Sequence, residues 1–323
     1  MYPDDAHDWA LVLAAGDGSR LHSLTTPAGG LPVPKQFCSL DGGASLLQEA
    51  LHRAESITSA ARVCTVVAAG HRHWWESPLR LLPRDNVVVQ PMNRGTAVGI
   101  LLPLLQLARR DPRARVALLP SDHYVRDESV LARSLRSALA DAAQYSEDVL
   151  LLGMRPEGPD PELGYVLPGP ADGTGIAPVA SFIEKPGPVE AGSLISRGAV
   201  WNSFIIVARL EALLAMFERQ FPEVVSALGL ALGREQRGDQ AAVRDLYAAL
   251  PSIDFSRHLL QGQERFLRLV SVPACGWSDL GTPRRVAEAL QRGARRAPRA
   301  PGMHAPISSL DLAAQHSRLQ LAG

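Results

Sequence analysis

Three stretches of the chain have the side chains that handling a phosphorylated ligand needs. In AAGDGSRL, Ala14 and Ala15 lead into Gly16 and Gly18, with Ser19 and Arg20 directly behind them. Glycines at such a turn let backbone N–H groups approach an anion closely. Lys35 follows in LPVPKQFC. Two cations flanking a glycine cradle match the charge of a triphosphate. In VVVQPMNRGTAVG, Gln90, Asn93, Arg94, Gly95 and Thr96 occupy a strand-to-helix junction. Polar groups at a helix N-terminus serve a base or a phosphate there, although an ordinary capped helix entry accounts for Thr96 equally well.

Two aspartates complete the candidate set. Asp122 in PSDHYV and Asp279 in GWSDLGT each follow a strand-like run. Carboxylates so placed match Mg²⁺, a hard octahedral cation that takes carboxylate and phosphate oxygens. Taken singly, Asp122 also reads as a turn residue and Asp279 as the cap of a helix beginning near Thr282.

Lysine usage adds a separate signal. Of 33 basic side chains only Lys35 and Lys185 are lysines. An ammonium is a compact point charge that enters a crowded phosphate site, where the planar guanidinium prefers bidentate partners.

These residues need a scaffold that gathers them. Apolar runs at 9–15, 62–69, 86–90, 115–120 and 148–153 read as buried strands. Between them SLLQEALHRAE, GTAVGILLPLLQLARR and SVLARSLRSALADAA carry the i, i+3, i+4, i+7 period of helices. Strand and helix in alternation predict a largely parallel sheet covered on both faces, with ligands at the carboxyl ends of its strands. Past residue 155 the texture changes to Gly- and Pro-rich loops. Strands are expected near 177–184, 200–207 and 265–272, with helices over 209–249 and 282–293. The organisation expected is a catalytic domain over 1–293, then a linker and short tail over 294–323. There is no internal repeat.

Composition excludes several classes. Net charge is zero, so no global field attracts nucleic acid or an anionic membrane. The apolar run 98–108 is too short and too interrupted by Pro to span a bilayer. Three widely spaced cysteines read as reduced thiols of a cytoplasmic protein. With 46% hydrophobic residues the chain has ample material for a core. A dinucleotide fingerprint fails because Leu21 stands where its third Gly belongs, and no G-K-[ST] follows for a P-loop.

AAGDGSRL followed by PKQF resembles the opening motif of sugar-1-phosphate nucleotidyltransferases, and the PKQF form is most similar to mannose-1-phosphate guanylyltransferases. PSDH (120–123), LGYV (163–166), FIEKP (182–186), VWNSF (200–204) and GWSDLG (276–281) follow in that family's order. The resemblance implies a Rossmann-like α/β nucleotidyltransferase fold, a mostly parallel mixed sheet with helices on both faces. It implies NTP phosphates on the glycine loop, Arg20 and Lys35, and Mg²⁺ held jointly by Asp122 and Asp279. The sugar would meet Gly164, Tyr165, Glu184 and Asn202, with Lys185 on its phosphate. GTP and mannose 1-phosphate are the favoured substrates, with no general base required and a structural role for His123. The implied partners are these small molecules, with neither nucleic acid nor membrane; a homodimer is compatible with the reading.

Four departures stand out. His22–Ser23 replaces the family's Pro, and the stretch from Arg20 to Lys35 is longer than usual. Gln90 stands where guanylyltransferases commonly carry Glu, and Phe204 where the family has Gly. A Gln side chain offers one acceptor and one donor and serves several bases. A glucose-1-phosphate thymidylyl- or uridylyltransferase is therefore the alternative. A catalytically silent sugar-nucleotide-binding paralogue is a further one, against which the retained aspartates and lysines argue.

Overall fold

The computed structural model describes residues 6–27, 30–170 and 175–293. The expected tail over 294–323 lies outside these. The first half alternates as expected: β1 (Asp8–Ala14), α1 (His22–Thr25), α2 (Leu46–Glu55), β2 (Val63–Ala68), α3 (Arg72–Trp75), β3 (Val87–Gln90), α4 (Gly95–Arg110) and β4 (Arg115–Pro120). Then come β5 (Tyr124–Val125), α5 (Glu128–Asp141), β6 (Val149–Met154), β7 (Tyr165–Pro168), β8 (Ile176–Ile183) and α6 (Pro188–Ser196). The remainder is β9 (Val200–Arg209), α7 (Leu210–Gln220), α8 (Pro222–Gln236), α9 (Ala242–Ala249), β10 (Leu267–Val272), β11 (Trp277–Ser278) and α10 (Pro283–Gly293).

Nine strands form one sheet in the order β3-β2-β1-β4-β9-β6-β10-β8-β7. Its pairings β3–β2, β2–β1, β1–β4 and β6–β10 are parallel. Strand β9 runs antiparallel to both β4 and β6 and so joins the two parallel blocks. Antiparallel β7 and β8 close the far edge. The sheet is therefore mixed and not largely parallel: the block β3-β2-β1-β4 carries the glycine loop, and a second parallel pair, β6–β10, lies beyond β9.

Alternation along β1 shows why the strands are apolar throughout. Ala10 and Val12 face a core shared with Leu47 of α2 and Leu135 of α5, while Trp9 and Leu11 face Leu104 of α4 and Phe217 of α7. A strand buried on both sides has no position to give to water. Cys38, Cys64 and Cys275 are buried free thiols. Among the described residues no helix is long and apolar enough to cross a membrane.

A second sheet, the two-stranded ribbon β5–β11, has no counterpart in the strand runs read from the sequence. It pairs Tyr124 with Ser278 and Val125 with Trp277. This short ladder brings the segment after Asp122 against the segment before Asp279.

Candidate active site

A cavity of about 460 Å³ opens at the carboxyl ends of β1, β3 and β4. Gly16, Gly18 and Arg20 line it from the loop after β1, and Gln90, Asn93, Gly95 and Thr96 line it from the turn into α4. Asp122 follows β4 on its floor. Gly164, Glu184, Lys185 and Asn202 form the opposite wall, and Asp279 completes the lining. Residues read from separate motifs thus share one cleft.

Ala14, Ser19, Lys35, Arg94 and Tyr165 do not line it. Lys35 lies just behind, with only 5% of its surface exposed. Its Nζ is 2.8 Å from Asp122 Oδ2 and donates to the Asp279 carbonyl at 2.7 Å. The lysine thereby ties both strand-end aspartates together. Burial works against charge on Asp122, but the Lys35 ammonium, helped by His123 and the main chain, holds its carboxyl below the usual carboxylate range. Arg94 turns away from the cleft: its guanidinium donates to the carbonyls of Tyr247 and Ala248 at 2.6 and 2.7 Å. That satisfies the exposed carbonyls at the end of α9. The Tyr165 hydroxyl braces the Asp160 backbone and accepts from Trp201 Nε1 at 3.1 Å.

Local chemistry explains the loop geometry. Gly95 has φ +81°, and a Cβ there would lie 2.3 Å from the Ile253 carbonyl oxygen, so only glycine fits. Asn93 Oδ1 accepts from the Gly95 N–H at 2.9 Å, and its Nδ2 reaches Asp17 at 3.0 Å. Gln90 is 2% exposed, and its side-chain oxygen has no partner among the described residues. A buried amide oxygen without a partner at a cavity wall is uncommon and calls for an explanation.

Three non-glycine residues among those described have positive φ: Lys185 (53°), Phe204 (57°) and Leu280 (50°). Each either lines the cleft or adjoins Asp279. Backbone strain concentrated at one place marks a functional site.

Sequence reasoning passed over several residues here. Gln36, beside Lys35 in PKQF, donates to the carbonyls of Ala14 and Gly16 at 3.2 and 2.8 Å and so fixes the glycine loop. Glu162 pairs with Arg20 at 3.0 Å. Asp254 lines the cleft and, after burial, is the next influence raising the Glu184 carboxyl above its ordinary value. Arg285 holds the Asp279 carboxylate. Gln36, inside PKQF, and Glu162, directly before LGYV, adjoined motifs that could have drawn attention to them; Asp254 and Arg285 did not.

His123 is buried, and its Nδ1 accepts from Trp277 Nε1 at 3.3 Å. Burial pushes the imidazole down to about 4, so it is neutral at physiological pH. Among the described residues no group of three or more His, Cys, Asp or Glu side chains forms a metal cluster. Asp122 and Asp279 instead offer carboxylate oxygens from a pair of residues. That set fits Mg²⁺, which keeps its remaining positions for water and substrate phosphate.

The sheet, the glycine loop and the cleft at the strand ends are those of a nucleotide-binding α/β enzyme. Residues 9–295 match the family model described as Nucleotidyl transferase, and the chain belongs to that family. It is 30% identical to the alginate biosynthesis protein AlgA of Pseudomonas fluorescens over 84% of this chain and 56% of that protein. It is 28% identical to a mannose-1-phosphate guanylyltransferase of Salmonella montevideo, over 84% of this chain and 58% of that one. The chain thus spans little more than half the length of these curated relatives. Its fold superposes on mannose-1-phosphate geranyltransferase from Thermus thermophilus with a TM-score of 0.74 at 29% identity, covering 91% of this chain and 81% of that one. The inositol-1-phosphate CTP transferase from T. maritima, at 17% identity and a TM-score of 0.55, covers 92% of this chain and 100% of its own and shares the fold.

Proposed function

We propose that residues 1–293 form a catalytic domain that transfers a nucleotidyl group from an NTP, with GTP favoured, to a sugar 1-phosphate, with mannose 1-phosphate favoured. The products are an NDP-sugar and pyrophosphate. One observation carries the reading: a glycine loop with Arg20 and a wall bearing Glu184, Lys185 and Asn202 face one cleft, with Asp122 between them. A triphosphate and a phosphorylated polyol need those two surfaces. The relatives named for mannose-1-phosphate guanylyl transfer support the choice of substrates.

In this reaction an oxygen of the sugar phosphate attacks the α-phosphorus in line. The new P–O bond forms as the bond to the bridging oxygen breaks, and its electron pair leaves with pyrophosphate. The nucleophile is already an anion at neutral pH, so positioning and charge neutralisation are the work of the protein. Arg20 balances charge on the triphosphate, and Lys185 orients the attacking phosphate. Glu184 and Asn202 hold sugar hydroxyls. Lys35 keeps Asp122 ionised and aligned. Asp122 and Asp279 would hold Mg²⁺, which supplies charge neutralisation between the two phosphates when bound.

Gln90 favours a second reading of the base. Its carboxamide accepts or donates, so a thymidylyl- or uridylyltransferase acting on glucose 1-phosphate uses the same cleft. Pyrophosphate release measured for four NTPs against several sugar 1-phosphates decides between them. Highest turnover with GTP and mannose 1-phosphate is expected; turnover confined to dTTP or UTP overturns the base choice, and none with any pair overturns the function.

A further inference from the structure

We infer that the Phe204 ring selects the sugar: it admits a compact hexose 1-phosphate and turns away one enlarged by an N-acyl group. This rests on the reading of the cleft as a sugar-1-phosphate site.

Phe204 has φ +57°, a left-handed conformation that costs a residue with a Cβ roughly 1–2 kcal/mol and is a true outlier for a bulky one. It lies where the pairing of β9 with β6 shifts register beside Leu151 and Gly153. The Ser203 hydroxyl donates to the Leu152 carbonyl at this irregularity. The kink has a use, because it aims the Phe204 N–H at Asn202 Oδ1, 3.1 Å away. That bond commits the Asn202 oxygen and fixes its carboxamide against the cleft wall. Glycine would supply the same turn without strain. The backbone therefore does not explain phenylalanine here, and the side chain must.

The ring has a defined place. It lines the same cleft as Asn202, Glu184 and Lys185. Behind it stands Phe255, with ring centroids 5.7 Å apart at 61°. Phe255 is fully buried, packs on Phe217 and donates its N–H to Thr96 Oγ1 at 2.8 Å. A ring backed by a fixed aromatic does not swing aside for a larger ligand. It occupies space that glycine would leave to the sugar, and its apolar surface suits the carbon face of a hexose better than an amide.

The test compares Phe204→Gly with the wild type, using the hexose 1-phosphate the wild type prefers and its 2-acetamido counterpart. Because both are read as kcat/KM with one NTP, their ratio cancels general losses of activity. Discrimination of this kind by pocket shape runs from about tenfold to about two-hundredfold. We expect the wild type to favour the plain hexose, and Phe204→Gly to move the ratio towards the acetamido sugar by about tenfold or more. Phe204→Asn, which tolerates the left-handed backbone and lacks the ring, repeats the test if the glycine variant folds poorly. An unchanged ratio in a folded variant of an active wild type overturns the role of the ring. A wild type inactive on every sugar phosphate overturns the underlying site reading instead, and this inference with it.

Discussion

The guanidinium of Arg285 grips the carboxylate of Asp279, Nη1 donating to Oδ1, while its Nη2 lies 3.4 Å from Asp160. Arg285 projects from the first turn of α10 and is only 8% exposed. Its Nε and Nη2 make no hydrogen bond among the described residues, so the pairing with Asp279 is its strong contact. Removing one member of such a pair leaves a buried carboxylate uncompensated. Arg285→Ala should lose about 3 kcal/mol of stability in denaturant unfolding. Arg285→Lys, which keeps the charge, should recover part of both stability and turnover. A melting curve like that of the wild type for the alanine variant would remove the argument.

Asp122 is still 37% exposed at its side chain, and Lys35 keeps its bond to the Asp279 carbonyl without it. Asp122→Asn should therefore fold. Because metal charge stabilisation is worth several kcal/mol, Mg²⁺-dependent turnover should drop by at least about a hundredfold. Mn²⁺ binding followed by electron paramagnetic resonance should weaken in parallel. Full activity in this variant would sink the metal assignment.

The two lysines should respond differently to arginine. Lys35 Nζ meets Asp122, the Asp279 carbonyl and, at 3.5 Å, the Leu280 carbonyl, in a buried slot shaped for an ammonium. A guanidinium overfills it, so Lys35→Arg should lower both turnover and stability, the latter by about 1–3 kcal/mol. Lys185 is exposed. Lys185→Arg should lower turnover while the melting temperature stays within error of the wild type. Turnover and thermal unfolding of both variants, read side by side, check the contrast.

His123 supplies a pH signature. Burial depresses it most; Lys35 and Arg53 add to this, and the charges of Asp122 and Asp279 oppose it, leaving it at about 4 instead of 6.5. The unfolded chain therefore binds the proton that the folded chain refuses. Stability from this group is complete above about 6.5 and is lost as pH falls towards 4. The melting temperature of the wild type should decline across that window, and His123→Asn should flatten the decline. Equal slopes would show that His123 does not titrate with folding.

The strands β1, β2 and β4 were legible because burial on both faces leaves long apolar runs, and the edge strand β3 because it is a run of valines, although Val89 is exposed. The two-residue strands β5 and β11 carry no period, and their pairing links Tyr124 to Ser278 across nearly half of the chain. The same limit governs the site. Asp122 and Asp279 were visible as residues after strands, but the grip of Arg285 on Asp279 depends on where α10 docks. Arg94 looked like a phosphate ligand from its neighbours. The end of α9, delivered from 153 residues away, takes its guanidinium instead. The oddity of Phe204 was plain in the sequence, whereas its left-handed backbone was not.

The hydrogen bond from Lys35 to the Asp279 carbonyl spans 244 residues of chain. Synthesis delivers the glycine loop early and the second aspartate near the end of the domain, and closing so long a loop is entropically costly. The contact between Lys35 and Asp279 therefore exists only when the segment leading into α10 is docked against the glycine-loop side of the sheet, so the integrity of the cleft reports on packing across the whole domain.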